Sequence, residues 1–191
     1  MYKLCKTEQS ARRQRQLEQG LLKAMLQHDY EEISISELCE SMAVPRKSFY
    51  RYFSSKDGAL YALIDHTMME YESFERDTVG RTLYKDMERF YRFWQSKSSL
   101  LAALERSGLG GLLVQRAVDY ALGDLVFPAR FLPNETPEMK SRVVSFSVCG
   151  MLAMMLKWHQ EGYKTPIWEL AESAVRLLTR PLFADADKRI S

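Results

Sequence analysis

The chain has 191 residues, 46% of them hydrophobic, with 27 Lys and Arg against 25 Asp and Glu, for a formal net charge of +2. That length allows one large or two small domains with a sizeable core, and the near balance of charge excludes a uniformly basic binder, so any basic surface must come from local segregation. The three cysteines, Cys5, Cys39 and Cys149, lie far apart, which excludes a disulfide framework and a cysteine metal motif.

The opening "MYKLCKTEQS" carries no apolar stretch of a secretory signal. The longest plain apolar run, Gly150 to Leu156, is far short of the roughly 20 residues that span a bilayer. The expectation is a reduced, cytoplasmic protein with no membrane partner.

In chain order, Leu17, Leu21, Ala24, Met25 and His28 share a face and predict a first helix from Thr7 to His28. Ser34 and Glu37 then form a capping-box pair, which starts a second helix just after Ser34. That helix is short, because Val44 precedes Pro45 and the α region is disfavoured there. Pro45 suits the first turn of a third helix, "PRKSFYRY". Ser54 and Asp57 repeat the capping-box pattern and open a fourth helix from Lys56 to Arg76.

Beyond Arg81 the helices become longer and more apolar. They are predicted over Thr82 to Ser96, Ser98 to Arg106, Leu109 to Phe131, Pro137 to Glu161 and Pro166 to Leu182. Breaks fall at Ser107-Gly108, "LPNETP" and "GYKTP", and "ADADKRIS" reads as a frayed tail. No strand, internal repeat or low-complexity tract emerges. The predicted fold is all-α, with a helix-turn-helix domain over residues 1–55 and a helical bundle over 56–191.

The segment Ala43 to Lys56, "AVPRKSFYRYFSSK", holds four basic residues, four aromatics and no acid. Two short helices behind a longer one make a helix-turn-helix, whose last helix must enter a major groove about 12 Å wide. Phe49 and Phe53 are four apart and share a face, assigned to the core, since so short a helix cannot stand alone. Arg46, Lys47, Tyr50 and Arg51 project elsewhere. Tyr50 and Tyr52 can offer hydroxyls to phosphates, and Lys56 sits at a helix start, where an anion is favoured.

Residues Leu17 to Leu60 resemble the N-terminal domain of the TetR family of transcriptional regulators. The likeness rests on "YEEISISELCESMAV" followed by "SFYRYFSSKDGAL", in which Ser48, Tyr50, Tyr52, Phe53, Lys56, Asp57 and Leu60 occupy the family's string. Ala43 replaces the usual turn glycine, Pro45 the usual serine opening the third helix, and Lys47 stands at a position commonly glycine. "MLAMMLKWHQEGYKTPIWELAE" is similar to the last two helices of some members.

The resemblance implies about nine helices, a homodimer on a palindromic operator in double-stranded DNA, and repression relieved by a small-molecule effector in the bundle. The DNA contacts assigned are Ser34, Arg46, Lys47, Ser48, Tyr50, Arg51, Tyr52 and Lys56. Lys47 and Ser48 are to face base edges, whereas Tyr50, Tyr52 and Lys56 are to hold phosphates. The competing reading keeps the fold but has no effector, and acts through protein partners or DNA organisation.

For the dimer, the helix from Pro137 is apolar nearly all round, which suggests burial on more than one side. Phe146, Gly150, Met154 and Trp158 recur every four residues, and Leu170, Ala174, Leu177 and Leu178 follow on the last helix; these eight are assigned to the interface. Tyr84, Phe90, Tyr91, Trp94, Tyr120 and Met151 read either as core or as the wall of an effector pocket, since ligand sites are mostly apolar with a few placed polar groups. Arg92 or Arg116 could pair with an acidic ligand if turned inward, and both are otherwise solvated.

No catalytic motif stands out, so no enzyme is predicted, and no cofactor. His66 and Glu70 share a helix face but lack a third ligand, so no metal site is assigned. Cys149, in an apolar helix, reads as an inert buried thiol.

Overall fold

The computed structural model describes residues 1–75, 82–124 and 134–180. Among them are nine α-helices and no strand, which makes the fold all-α.

Helix α1 (Glu8–Met25) begins where Thr7 accepts a hydrogen bond from the Ser10 N–H at 3.3 Å. It ends at Met25, short of His28, and a 3₁₀ turn over Tyr30–Glu32 follows that the sequence pattern did not show. Helix α2 (Ile35–Ser41) carries the expected capping box between Ser34 and Glu37. Those hydrogen bonds hold the Glu37 carboxyl below its ordinary value.

The α2 turn closes with Ala43 N–H to the Glu40 carbonyl and Val44 N–H to the Cys39 carbonyl, both at 2.9 Å. This pattern places Ala43 in the left-handed region, at φ +51°, where glycine is the unstrained residue. Helix α3 (Arg46–Tyr50) is one short segment, with Pro45 just before it. Helix α4 (Lys56–Ser73) is capped by Ser55, which accepts from Gly58 N–H at 3.1 Å. The expected cap, Ser54, instead donates to the Met1 carbonyl at 2.9 Å.

Helices α5 (Leu83–Ser96), α6 (Ser98–Arg106) and α7 (Gly110–Asp124) follow, then α8 (Pro137–Gln160) and α9 (Ile167–Thr179). The predicted extensions to Arg76, to Phe131 and to Leu182 reach beyond the described residues, as does the "ADADKRIS" tail.

The N-terminal core joins Leu17, Leu21, Leu38, Phe49 and Phe53 from α1, α2 and α3 and the segment that follows, all essentially inaccessible. Gly20 admits this packing, because a Cβ there would lie 2.1 Å from the Met42 sulfur. Helix α4 packs on both α1 and α7, so it belongs to both halves. In the bundle, α9 lies against α5 and α8 against α7. The α5 face Met87, Phe90, Tyr91, Phe93 and Trp94 fills the centre.

Among the described helices, α8 is the one long and apolar enough, by length and composition, to cross a membrane. Its buried face carries Val144, Val148, Met151, Leu152 and Met155, which packs it as a core helix.

Candidate nucleic-acid interface

Helix α3 is held by one face and free on the other. Phe49 is fully buried, with its ring 5.1 Å from that of Phe53. Arg46, Lys47 and Arg51 are exposed, as is Tyr50, and Ser48 is half-buried. The Arg46 guanidinium lies 5.9 Å from the Tyr50 ring centre, so the two side chains form one cationic-aromatic surface. Lys47 has no acidic partner among the described residues. Ser34, at the start of α2, is exposed, but its hydroxyl donates to the Glu37 carboxylate at 2.7 Å.

Two residues assigned to phosphates sit differently from the expectation. Tyr52 is only 5% exposed, and its hydroxyl accepts from Arg51 Nη2 at 2.8 Å. Arg51 stacks over the same ring at 4.9 Å, so Tyr52 positions Arg51. Lys56 turns back toward the 3₁₀ turn. Its ammonium donates to the Tyr30 carbonyl and, at 3.4 Å, to the Glu31 carbonyl, and lies 4.3 Å over the Tyr30 ring. The Tyr30 hydroxyl donates to Asp57 at 2.6 Å, and burial followed by this carboxylate pushes the phenol upward. The Tyr30 contacts carried no periodic signal, because the partners are 26 and 27 positions apart.

The effector residues fall into two groups. Phe90, Tyr91 and Trp94 are buried and packed edge-on against one another, with Phe90 at 5.2 Å from Tyr91 and 6.4 Å from Trp94. Met151 is buried as well. The Tyr91 hydroxyl contacts the Met154 sulfur at 3.8 Å, and burial pushes the phenol upward. Tyr84 is 36% exposed, and Tyr120 donates to Glu72, so neither joins that cluster through these contacts. Arg116 pairs with Asp65, and Arg92 with Glu88 and Glu75. A groove of about 1200 Å³ lies between α1 and α2, beside Arg12, Lys23, Leu38 and Met42.

The interface residues divide too. Phe146, at 79% exposed, Gly150 and Leu177 face outward, and Met154, Leu170 and Leu178 are half-buried. Trp158 and Ala174 are buried in the chain's own core. Trp158 donates to the Thr165 carbonyl at 2.7 Å and packs on Tyr91 and Tyr163. Four-residue steps advance about 400° on a helix of 3.6 residues per turn, so the series drifts from the outer face at Phe146 to the inner face at Trp158. The exposed stripe is Phe146, Cys149, Gly150 and Ala153. Cys149 is therefore an exposed thiol, contrary to its reading as buried.

His66 does not share a site with Glu70. Its ring nitrogen lies 2.9 Å from buried Glu18, and Glu70 pairs with Lys97 and Arg15. Among the described residues, no group of three His, Cys, Asp or Glu is placed to hold a metal.

Residues 20–63 match the model of a family described as bacterial regulatory proteins, tetR family. A search of curated proteins returns no match. Three solved structures share the fold. The dihydroxyacetone kinase operon activator DhaS is 14% identical at a TM-score of 0.58, over 87% of this chain and 93% of that one. A tetR-family transcriptional regulator from Streptomyces coelicolor is 20% identical at 0.55, over 88% and 79%. The transcriptional regulator FadR from Bacillus subtilis, in complex with stearoyl-CoA, is 12% identical at 0.56, over 86% and 96%.

Proposed function

We propose, from the premise that the chain belongs to the tetR family of bacterial regulatory proteins, that its homodimer represses transcription from a palindromic operator and releases it when a small molecule enters the bundle. Residues 1–55 read the DNA, and residues 56–191 pair the protomers and bind the effector. The protein then works in the cytoplasm, as a regulator and not as an enzyme.

The observation that carries the reading is the free cationic face of α3. Arg46, Lys47, Tyr50 and Arg51 are exposed on a segment whose opposite face is locked by Phe49. Lys47 and Ser48 supply base contacts, and Arg46, Tyr50 and Arg51 supply phosphate contacts. Ser34 lies one helix back and is exposed, where its hydroxyl can reach a phosphate only by leaving the Glu37 carboxylate.

So short a helix reads few bases, and two-fold pairing doubles the site. The outward stripe of α8, with Phe146 and Gly150, and the exposed Trp168 and Leu177 of α9 supply an apolar face for that pairing. A stable dimer buries more than ~1,200 Å² in total. FadR's complex with stearoyl-CoA supports an apolar effector here by likeness of fold.

The close mutual packing of Phe90, Tyr91 and Trp94 favours the second reading, a DNA-binding regulator without an effector. The test is selection of duplexes from a random library by the full chain, then anisotropy titration of the recovered sequence at several salt concentrations. A two-fold-symmetric sequence and a steep salt slope are expected; recovery of no preferred sequence overturns the operator reading. A compound screen by thermal shift, with operator binding for every hit, separates the two readings.

A further inference from the structure

The first five residues run back along Tyr52, Phe53 and Ser54, just after the recognition helix α3. Tyr2 and Phe53 form an isolated antiparallel bridge. Lys3 N–H donates to the Tyr52 carbonyl at 3.0 Å, and Ser54 N–H donates to the Met1 carbonyl at 3.1 Å. On the other side, buried Gln14 of α1 donates to the Lys3 carbonyl at 3.2 Å and accepts from the Cys5 thiol at 2.8 Å.

The Tyr2 side chain leaves this segment toward the bundle. Its hydroxyl donates to Asp65 Oδ2 at 2.7 Å, and its ring packs edge-on against His66 at 5.7 Å. Asp65, on α4, is 7% exposed. Both its oxygens accept from Arg116 of α7, with Nε to Oδ1 at 2.9 Å. A chain of hydrogen bonds thus joins α7, through Asp65 of α4, to Tyr52, Phe53 and Ser54, the residues just after the recognition helix.

Gly58 marks how closely the segment lies. A Cβ there would stand 2.6 Å from the Met1 carbonyl oxygen. Glycine in a helix is less favourable than alanine, so its use in the first turn of α4 fits a place where another backbone passes. Helix α1 already holds the α3 region against α4 and α6; the first five residues add a further tie, through Asp65 to α7, so that the segment after the recognition helix follows α7 as well.

We propose that residues 1–5 form a strap through which the position of α7 sets that of the recognition helix, with Tyr2 as its positioning residue. The proposal rests on the DNA-binding reading for what α3 does. Its test reads backbone protection without DNA, so the two fail separately.

Amide hydrogen exchange is measured on the full chain for the wild type, Tyr2→Phe, Arg116→Gln and the double variant. Arg116→Gln lies in α7, yet it should speed exchange at the Lys3 and Ser54 amides about tenfold, the scale of one lost hydrogen bond to a charged group. Tyr2→Phe should do the same, and the double variant should be no faster than either single one. Core amides such as that of Leu63 should keep wild-type rates in all of them. Wild-type rates at Lys3 and Ser54 in Arg116→Gln, or effects that multiply in the double variant, overturn the strap.

Should Arg116→Gln fail to fold, Arg116→Lys takes its place, with the same expectation. Gly58→Ala gives an independent reading. It should speed the same two amides by displacing the Met1 carbonyl, and unchanged or slower exchange there overturns the close approach.

Discussion

Lys56 separates two physical roles that the sequence pattern cannot tell apart. Its ammonium donates to the Tyr30 and Glu31 carbonyls and lies 4.3 Å over the Tyr30 ring. Replacing it with Met keeps the stem and removes the charge. A charge-assisted hydrogen bond contributes about 1.5–3 kcal/mol, and a cation over an aromatic ring about 0.5–2 kcal/mol. Freeing the ordered side chain returns up to ~2 kcal/mol of entropy. With Lys56 half-buried, the net cost of Lys56→Met comes to about 1–2 kcal/mol. Urea unfolding of the protein without DNA measures it as a lower midpoint at unchanged slope. A lysine acting purely on phosphate behaves oppositely: stability holds, and, with two copies per dimer, the salt slope of operator binding falls by about 2. Stability within ~0.5 kcal/mol of wild type, together with that flatter slope, would refute the anchoring role.

Lys47→Ala should cost about 1–3 kcal/mol in operator binding and relax sequence preference, as read by competition with mismatched duplexes. Phe146→Glu should leave the fold intact and give a monomer in sedimentation at micromolar concentration, since an unpaired charge in an interface costs about 3 kcal/mol or more. Ala43→Gly should raise the urea midpoint. Relief of the left-handed strain at φ +51° is worth about 1–2 kcal/mol, against about 0.5–1 kcal/mol for the freer unfolded glycine; a lower midpoint contradicts the turn geometry. Burial, and then the Asp65 carboxylate, raise the Tyr2 phenol from 10.0 to about 12. The protonated phenol is the donor, so its contribution is complete below pH 10.0 and is lost as pH rises through about 12. Phenolate absorbance in wild type and Tyr2→Phe isolates that titration.

Local chemistry was readable in the chain itself. Ser34 with Glu37 announced α2, Pro45 separated two short helices, and Phe49 with Phe53 fixed the inner face of the basic segment. These signals act over three or four residues, where side-chain spacing and backbone geometry are coupled directly. The outward projection of Arg46, Lys47 and Arg51 followed from the same periodicity. Tertiary structure decided what periodicity leaves open. Whether Lys56 faces a phosphate or the Tyr30 carbonyl depends on where a turn 26 residues earlier comes to rest. Trp158 points inward although Phe146 points outward, because a four-residue series rotates about the helix and its sides become distinct only when a neighbour covers one. The link from Arg116 through Asp65 to Tyr2 joins positions 51 and 63 residues apart. Each partner alone is an ordinary polar residue; burial in low dielectric, which only the assembled helices create, makes their pairing specific.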